Sequence, residues 1–360
     1  MKVAIMGAGL SGLACAIRLE QMGVSPTVFE KRSCPGDRFA NMEALISVFS
    51  RPIRDEIAFL ADRYQIYLQP SSNISEFVIR SANEKAVLTG NLGFCNHRGR
   101  QEDAWENQLA RQVKSKIHFH AEQSYEHLLK EFTHVVVATG DPSYTAAVHN
   151  FRTDFTATLK GATVEGEFSR YRVISWLDDR FAPKGYGYLL PFTEKLANIV
   201  IAFREGVNDD GLELKEKWAL FFDRVCTDLG QDLQVTDQFE VNGYKVGQCR
   251  RARVGNTFFT GNCLDSVMPL FGFGQFPAIL SGIYAAEDLC GGTPYIEATR
   301  AIHASYDNSM VIRKLYERLD TGQKDRLVKM LNGKMGEKLL TTRFDVLKIA
   351  SRLLRWTGIQ

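Results

Sequence analysis

The chain has 360 residues and a mass of 40.5 kDa, enough for about two domains with their own cores. Hydrophobic residues make up 45% and charged residues 24%, which excludes collagen-like, mostly disordered and disulfide-scaffold proteins. The net charge is +2, so we expect no nucleic-acid partner. The charge is uneven, because residues 311–360 hold 12 Lys or Arg against 5 Asp or Glu.

Cysteine spacing and two uncharged stretches are informative about the cellular location of the protein. The seven cysteines are scattered and none lies in a Cys-x-x-Cys pair, so we expect no metal site and reduced thiols. Residues 3–17 and 266–286 carry no charge and have the lengths of a signal-peptide core and a membrane span. Their glycines, and two prolines in the second, make them poor apolar helices. We interpret both as buried parts of a cytoplasmic protein.

The first 150 residues alternate between strand and helix patterns. Residues 2–6 form an apolar run of strand length, apolar residues at helical spacing continue to Gly23, and a second strand ends in Glu30. Further apolar patterns predict a helix over 45–68, a hairpin over 77–88, a helix over 105–113, and strands over 117–120 and 134–140.

After residue 150 the apolar residues mostly alternate at period two, which is typical of an antiparallel sheet. The pattern predicts strands over 156–168, 171–177, 186–190, 198–203 and 237–246, with a helix over about 212–229. Residues 258–261 indicate a return to the first domain, and the chain is predicted to be helical from about 296 to its end.

A Gly-x-Gly-x-x-Gly motif follows the first strand. Gly7 allows a tight turn, Gly9 lets the backbone approach a pyrophosphate, and Gly12 lets the helix pack on the strand. The helix N-terminus offers unpaired N–H groups to that anion. Glu30 lies 18 residues after Gly12, where an acid binds ribose hydroxyls. Together these features predict a dinucleotide site.

Three segments resemble known flavoproteins. Residues 3–14 with 29–32 resemble the N-terminus of FAD-dependent oxidoreductases, and residues 261–274 resemble the second flavin motif of the p-hydroxybenzoate hydroxylase-like group. Residues 183–192 are similar to the substrate-domain signature of geranylgeranyl reductases, the nearest family in that group. The resemblance implies FAD as cofactor, with NAD(P)H or an electron-donor protein left open as the external reductant. A second Gly-x-Gly-x-x-Gly for NAD(P) is missing.

The implied fold class is α/β: a Rossmann-type FAD-binding domain interleaved with an antiparallel-sheet substrate domain, and a helical C-terminus. The domain boundaries follow the change in pattern. The FAD-binding domain takes residues 1–65, 91–150 and 247–295, the substrate domain takes 66–90 and 151–246, and the C-terminal helical region takes 296–360.

Carried over by position, the resemblance implies a set of cofactor-binding residues. They are Gly7, Ala8, Gly9, Leu10, Ser11, Gly12, Glu30, Lys31, Arg32, Arg38, Arg98, Arg100, Ala138, Thr139, Gly140, Gly261, Asn262, Gly272, Phe273 and Gly274. Tyr186 and Tyr188 alternate along one predicted strand, so both can face the same side and bind substrate; a pair packed on the sheet is the alternative. No catalytic side chain is assigned, because the flavin itself carries the chemistry.

The chain departs from the family patterns at three places. Asn262 stands where the second flavin motif usually has Asp, and Phe273 stands between glycines where a small or acidic residue is usual. The reductases tend to carry a cysteine near the flavin, and Asn41 and Met42 stand near its place here.

The C-terminal segment 341–357 combines apolar and basic residues at helical spacing. The apolar set is Val346, Ile349, Ala350, Leu353 and Trp356, and the basic set is Lys348, Arg352 and Arg355. Such a helix suits peripheral contact with an anionic membrane, and the alternative is a helix docked on the protein with solvated charges.

Three functions follow from these features. The first is a flavoenzyme that reduces or dehydrogenates carbon–carbon bonds of a small apolar substrate, prenyl or lipid-like. The second is an FAD-dependent monooxygenase that uses NAD(P)H and O₂ on an aromatic or polyketide substrate. The third is an FAD-binding sensor or assembly protein without turnover, which the departure at Asn262 and the missing cysteine keep open.

Overall fold

The computed structural model describes residues 1–36, 41–207 and 211–356. Fourteen strands occur within those ranges. They are β1 (Val3–Met6), β2 (Thr27–Phe29), β3 (Asn41–Ile46), β4 (Ser72–Arg80), β5 (Lys85–Arg98), β6 (Ile117–His118), β7 (His134–Val137), β8 (Phe151–Glu165), β9 (Arg172–Trp176), β10 (Tyr186–Pro191), β11 (Leu196–Arg204), β12 (Gln234–Cys249), β13 (Arg253–Val254) and β14 (Thr257–Phe259).

Twelve α-helices occur in the same described ranges. They are α1 (Leu10–Gln21), α2 (Glu56–Tyr64), α3 (Trp105–Ala110), α4 (Tyr125–Glu131), α5 (Ser143–Ala147), α6 (Leu214–Leu229), α7 (Gln275–Leu289), α8 (Tyr295–Ala298), α9 (Arg300–Tyr316), α10 (Thr321–Leu331), α11 (Lys334–Thr341) and α12 (Val346–Trp356). None of these described helices is long and apolar enough to cross a bilayer.

The strands form two sheets. One has the order β13-β14-β7-β1-β2-β6 and is parallel except for its β13–β14 edge. The other has the order β12-β8-β11-β10-β9-β4-β5-β3 and is antiparallel except where β4 meets β9. The structure thus has the α/β class expected from the sequence, with a Rossmann-type sheet, a second sheet and a helical C-terminus.

The turn between β1 and α1 fixes the centre of the parallel sheet. All four residues of β1 are buried, and β1 lies between β2 and β7. Gly7 has a φ of +108°, and a Cβ on Gly12 would lie 2.1 Å from the carbonyl oxygen of Gly7. A side chain at Gly12 would therefore push α1 away from the strand, as the motif predicts.

The prediction of one helix over 45–68 is wrong. Its first residues complete β3, residues 47–50 form a 3-10 helix, and only Glu56–Tyr64 is α-helical. Pro52 lacks the N–H that a continuous helix needs. Met42 and Ile46 are instead buried in the antiparallel sheet, where β3 pairs with β5.

The strands predicted after residue 150 are present, with small changes at their ends. The predicted domain boundaries stay a prediction, but strand pairing differs from them in two places. Residues 41–46 and 93–98, which the predicted boundaries assign to the FAD-binding domain, pair with each other in the eight-stranded sheet rather than lying with the parallel sheet. The chain therefore crosses between the two sheets near residues 41 and 98, and both crossings border the site.

Candidate functional site

A cleft of about 390 Å³ lies at the carboxyl ends of the parallel strands. Ligands of open α/β sheets bind at this edge, where loops leave the strands. The segments lining it come from the ends of four strands: Met6–Gly7 after β1, Phe29–Arg32 after β2, Ala138–Asp141 after β7 and Gly261–Asn262 after β14.

The N-terminus of α1 faces this cleft through Gly9. Gly9 is the N-cap, and no side chain caps the first turn, so its N–H groups have no side-chain partner. A Cβ on Gly9 would meet no described atom within 4 Å, although Gly9 lines the cleft. The space beside this backbone fits an anionic group such as a pyrophosphate.

Glu30 holds the two loops beside that helix end together. Its Oε2 accepts a hydrogen bond from the Ala8 N–H at 2.9 Å, and its Oε1 accepts one from the Arg32 N–H at 3.0 Å. The side chain is buried and lines the cleft. Each carboxylate oxygen has a second lone pair, so Glu30 can still accept a ribose hydroxyl.

Asn262 joins the cleft to the eight-stranded sheet. Its Nδ2 donates to the Gly140 carbonyl at 3.1 Å and to the Tyr244 hydroxyl, on β12, at 2.9 Å. Both amide hydrogens are thereby used, so the group that Asn262 can offer to a ligand is its carbonyl oxygen. A carbonyl oxygen suits a ligand hydroxyl, which can donate to it.

Arg98, at the end of β5, is bound by two carboxylates. Its Nε donates to Glu106 Oε1 at 2.7 Å, and its Nη1 donates to Glu43 Oε2. Burial lowers the pKa of Arg98, but the two carboxylates outweigh burial and raise it above its ordinary value. Gln275, at the start of α7, donates from Nε2 to Glu43 Oε2 at 2.8 Å. The network therefore links β3, β5, α3 and α7.

A second, larger cavity of about 680 Å³ lies under the eight-stranded sheet and is walled mostly by apolar side chains. Phe155, Ala157 and Leu159 line it at alternate positions of β8. Phe271 and Phe273 line its inner end, where Phe273 stacks on Phe49 with ring centroids 5.2 Å apart. Its other end is formed by residues of α10, α11 and α12.

The cleft and the apolar cavity share one boundary. Six residues line both: Glu43, Tyr244, Val267, Gly272, Gly274 and Gln275. Among them, Glu43 and Gln275 are hydrogen bonded to each other. A flat group that enters from the cleft would reach the apolar cavity at this boundary.

Tyr186 and Tyr188 both line the apolar cavity, with ring centroids 6.0 Å apart. The Tyr186 hydroxyl donates to the carbonyl of Phe271. The Tyr188 hydroxyl lies beside the Asn41 amide, and burial raises its pKa well above the ordinary value. Tyr188 therefore keeps its proton across the physiological range.

Most residues predicted to bind cofactor lie around the cleft. Those that line it are Gly7, Gly9, Leu10, Ser11, Glu30, Lys31, Arg32, Arg98, Ala138, Thr139, Gly140, Gly261, Asn262, Gly272 and Gly274. Ala8 contributes its N–H to Glu30, Gly12 packs α1 on β1, Phe273 lies in the apolar cavity, and Arg100 is exposed. Arg38 lies outside the described residues.

Two polar residues at the boundary, Glu43 and Gln275, belong to none of the motifs recognised in the sequence. Glu43 follows Asn41 and Met42, the place at which the reductase cysteine was sought, and that position was the available signal. Gln275 was visible as a polar residue in the uncharged stretch 266–286. Within the described ranges, no group of three His, Cys, Asp or Glu is placed to hold a metal ion.

Comparison with known proteins supports the fold assignment. Residues 5–44 match the model of the NAD(P)-binding Rossmann-like domain. No curated protein sequence matches the chain. A geranylgeranyl bacteriochlorophyll reductase-like protein from Thermoplasma acidophilum has a similar structure, with a TM-score of 0.72 and 15% identity over 99% of this chain and 97% of that one.

Two further solved structures are similar over nearly their whole lengths. The flavin-dependent brominase Bmp2 gives a TM-score of 0.69 at 11% identity and covers both chains fully. A 2-methyl-3-hydroxypyridine-5-carboxylic acid oxygenase gives 0.59 at 17% identity, over 96% of this chain and 97% of that one. This chain shares their fold. The resemblance to the hydroxylase-like group is thus confirmed for the architecture.

Removing Arg98 tests the charge network. In an Arg98→Met variant, Glu106 loses its guanidinium partner. The Glu106 side chain is only 1% exposed, so water cannot take the place of that partner. We expect the free energy of unfolding to fall by about 3–5 kcal/mol at about pH 8. The loss should be smaller at about pH 5, because burial raises the pKa of Glu106 in the folded state and Arg98 acts against that rise. When the pKa of an acid is raised in the folded state, the free energy of unfolding falls as the pH rises and the acid must become charged. The unpaired Glu106 therefore destabilises the variant more at about pH 8 than at about pH 5.

Urea unfolding at both pH values measures the effect. The control is the double variant Arg98→Met/Glu106→Gln, which has no buried acid to titrate and should lose nearly the same amount at both. An Arg98→Met variant that is equally destabilised at both pH values would show that Glu106 is not held charged by Arg98.

Proposed function

We propose that the protein is an FAD-dependent oxidoreductase that reduces or dehydrogenates a carbon–carbon bond of an apolar, prenyl- or lipid-like substrate. The observation that carries the proposal is the shared boundary of the cleft and the apolar cavity. A dinucleotide site alone would suit many proteins. A large apolar cavity that meets it at one end favours a redox cofactor acting on an apolar ligand.

The residues of the cleft fit FAD. The α1 N-terminus and Gly9 would receive the pyrophosphate, Glu30 the adenosine ribose, and the Asn262 carbonyl oxygen a ribityl hydroxyl. Gly274 would bring its backbone N–H near the isoalloxazine, where a reduced flavin carries negative charge. The Gly272 N–H donates instead to the Met268 carbonyl at 2.8 Å. When bound, FAD supplies hydride or electron transfer, which no side chain at this boundary can perform.

The chain's own residues would exclude water and position the substrate. Phe49, Phe271 and Phe273 form an aromatic wall at the boundary. Tyr188 would hold a proton at its hydroxyl for the substrate, because burial keeps the pKa of this group high. NAD(P)H or an electron-donor protein would supply the electrons from outside the described site.

A monooxygenase is the second candidate. The structural likeness to a hydroxypyridine carboxylic acid oxygenase favours it. The apolar character of the large cavity favours the reductase, because the lining groups include few that would bind a charged or strongly polar ring.

Substitution of Gly9 tests FAD binding. The Cβ of a Gly9→Val side chain would enter the cleft without meeting a described atom within 4 Å, so the free energy of unfolding should change by less than about 1 kcal/mol. FAD affinity, measured by flavin fluorescence, should fall by at least about 100-fold, since the backbone can no longer approach the pyrophosphate.

The matched control is Gly12→Ala. Its Cβ would lie 2.1 Å from the Gly7 carbonyl oxygen, so this variant should lose about 1–3 kcal/mol of stability. If the wild type and the Gly9→Val variant bind FAD equally well, the cofactor does not bind at the N-terminus of α1. A protein that never binds FAD would refute the proposal.

Filling the apolar cavity tests the substrate class. The FAD-loaded protein is reduced with dithionite without oxygen and mixed with geranylgeraniol, and the product is analysed for reduced double bonds. An Ala157→Phe variant should bind FAD like the wild type and lose at least about tenfold in turnover. The reason is that the new ring fills cavity space that the prenyl chain of the substrate would occupy.

The same preparation separates the two enzyme classes. NADPH oxidation in air that is stimulated by an aromatic ligand, without alkene reduction, would favour the monooxygenase. A flavin that neither bleaches with dithionite nor responds to any ligand would favour the sensor or assembly role.

A further inference from the structure

The C-terminal helices carry an unusual amount of exposed apolar surface. Within the described residues, 18 large apolar side chains are exposed, and 7 of them lie between positions 330 and 356. We call these seven the C-terminal apolar patch: Met330, Met335, Leu339, Phe344, Ile349, Leu353 and Trp356. Single exposed apolar residues are ordinary, but such a concentration marks an interaction surface.

Helix α12 docks on the protein without using its apolar row. Its buried residues are Leu347 and Ser351, and the Ser351 hydroxyl donates to Asn308 Oδ1 on α9 at 2.7 Å. Ile349, Leu353 and Trp356, at helical spacing, remain exposed, and Trp356 is 95% exposed. The alternative of an ordinary docked helix accounts for one face of α12 and leaves its apolar row without a partner among the described residues.

The neighbouring helix is held close to α12. Both α11 and α12 pack against the 3-10 helix of residues 47–50. Arg51, just after it, donates from Nε to the carbonyl of Thr342 at 2.6 Å and so fixes the connection between the two helices. The patch residues of α11 and α12 therefore belong to adjacent parts of one surface.

The charges of the segment that carries the patch are mostly positive, although Lys329 pairs with Glu84 at 3.6 Å. Residues 326–356 contain eight Lys or Arg and two acids. Both acids have structural hydrogen bonds: Glu337 accepts from the Thr89 hydroxyl, and Asp345 accepts from the Lys348 N–H at the start of α12. Lys338, Arg352 and the other cations of the segment are exposed. An anionic surface with an apolar layer beneath it complements this arrangement.

The apolar cavity reaches the surface within the patch. Met330, on α10, and Leu339, on α11, line the cavity and are also 55% and 44% exposed, which points to a mouth beside these two side chains. Leu331, Leu340 and Val346 continue the wall inward. The opening is thus bordered by the side chains that would enter an apolar layer.

We propose that the C-terminal apolar patch docks on an anionic lipid bilayer, and that the mouth of the apolar cavity opens against that bilayer. An apolar chain could then pass from the membrane into the cavity without crossing water. The passage of substrate rests on the proposed function, whereas the docking does not. The bilayer is favoured over a protein because the patch mixes Trp, apolar residues and cations around an open apolar cavity.

Vesicle sedimentation of the full chain tests the docking. The vesicles are phosphatidylcholine with or without phosphatidylserine, at low and high salt. We expect binding to the anionic vesicles that weakens with salt, and a blue shift of Trp356 emission on binding. The triple variant Ile349→Ser/Leu353→Ser/Trp356→Ser should bind at least about tenfold more weakly, because it removes the apolar row.

A matched triple variant controls for loss of exposed apolar surface as such. Tyr171→Ser/Val254→Ser/Ile296→Ser changes three exposed residues outside the C-terminal apolar patch and should bind vesicles like the wild type. Equal binding by both triple variants and the wild type would overturn the proposal. An absence of vesicle binding by the wild type would also overturn it. If the wild type then forms dimers that the C-terminal triple variant abolishes, the patch is a contact between two copies of this chain.

The docking and the proposed function can fail separately. Vesicle binding needs neither FAD nor turnover, so docking by a protein whose flavin is inert supports the patch and refutes the enzyme. Alkene reduction by a protein that does not bind anionic vesicles would support the enzyme and refute the docking of the patch on a bilayer.

Discussion

The ion pair between the half-buried guanidinium of Arg98 and the buried carboxylate of Glu106 is the interaction on which the site depends. Arg98 ends a strand of the antiparallel sheet, Glu106 lies on α3 beside the parallel sheet, and Glu43 begins the return to the antiparallel sheet. Gln275 extends the network to α7. Leaving the buried Glu106 charge unpaired is costly, so this pairing holds together the elements at the boundary between the cleft and the apolar cavity.

Local signals predicted much of the fold. The glycine motif, the strand before it and Glu30 specified a βαβ unit, and the contacts of Gly7 and Gly12 follow from the close approach that the motif requires. Period-two patterning found the strands of the second sheet. The helix predicted over 45–68 was wrong, because Pro52 and the pairing of β3 with β5 outweigh the apolar periodicity there.

The cavity boundary could not be predicted, because it depends on contacts distant in sequence. Glu43 and Gln275 are 232 positions apart, and neither belongs to a motif whose spacing points to the other. Periodicity also grouped the apolar residues of α12 on one face but could not tell whether that face is buried. The structure buries Leu347 and Ser351, leaves Val346 and Ala350 half-buried, and exposes the row Ile349, Leu353 and Trp356.

The central claim is that a cofactor in the cleft meets an apolar ligand at Glu43 and Gly272–Gln275. A crystal structure of the protein with FAD added tests it most directly. We expect electron density for the pyrophosphate at the N-terminus of α1 and for the isoalloxazine at the boundary, with one side towards Phe271 and Phe273. An isoalloxazine turned away from the apolar cavity, or FAD bound outside the cleft, would contradict it.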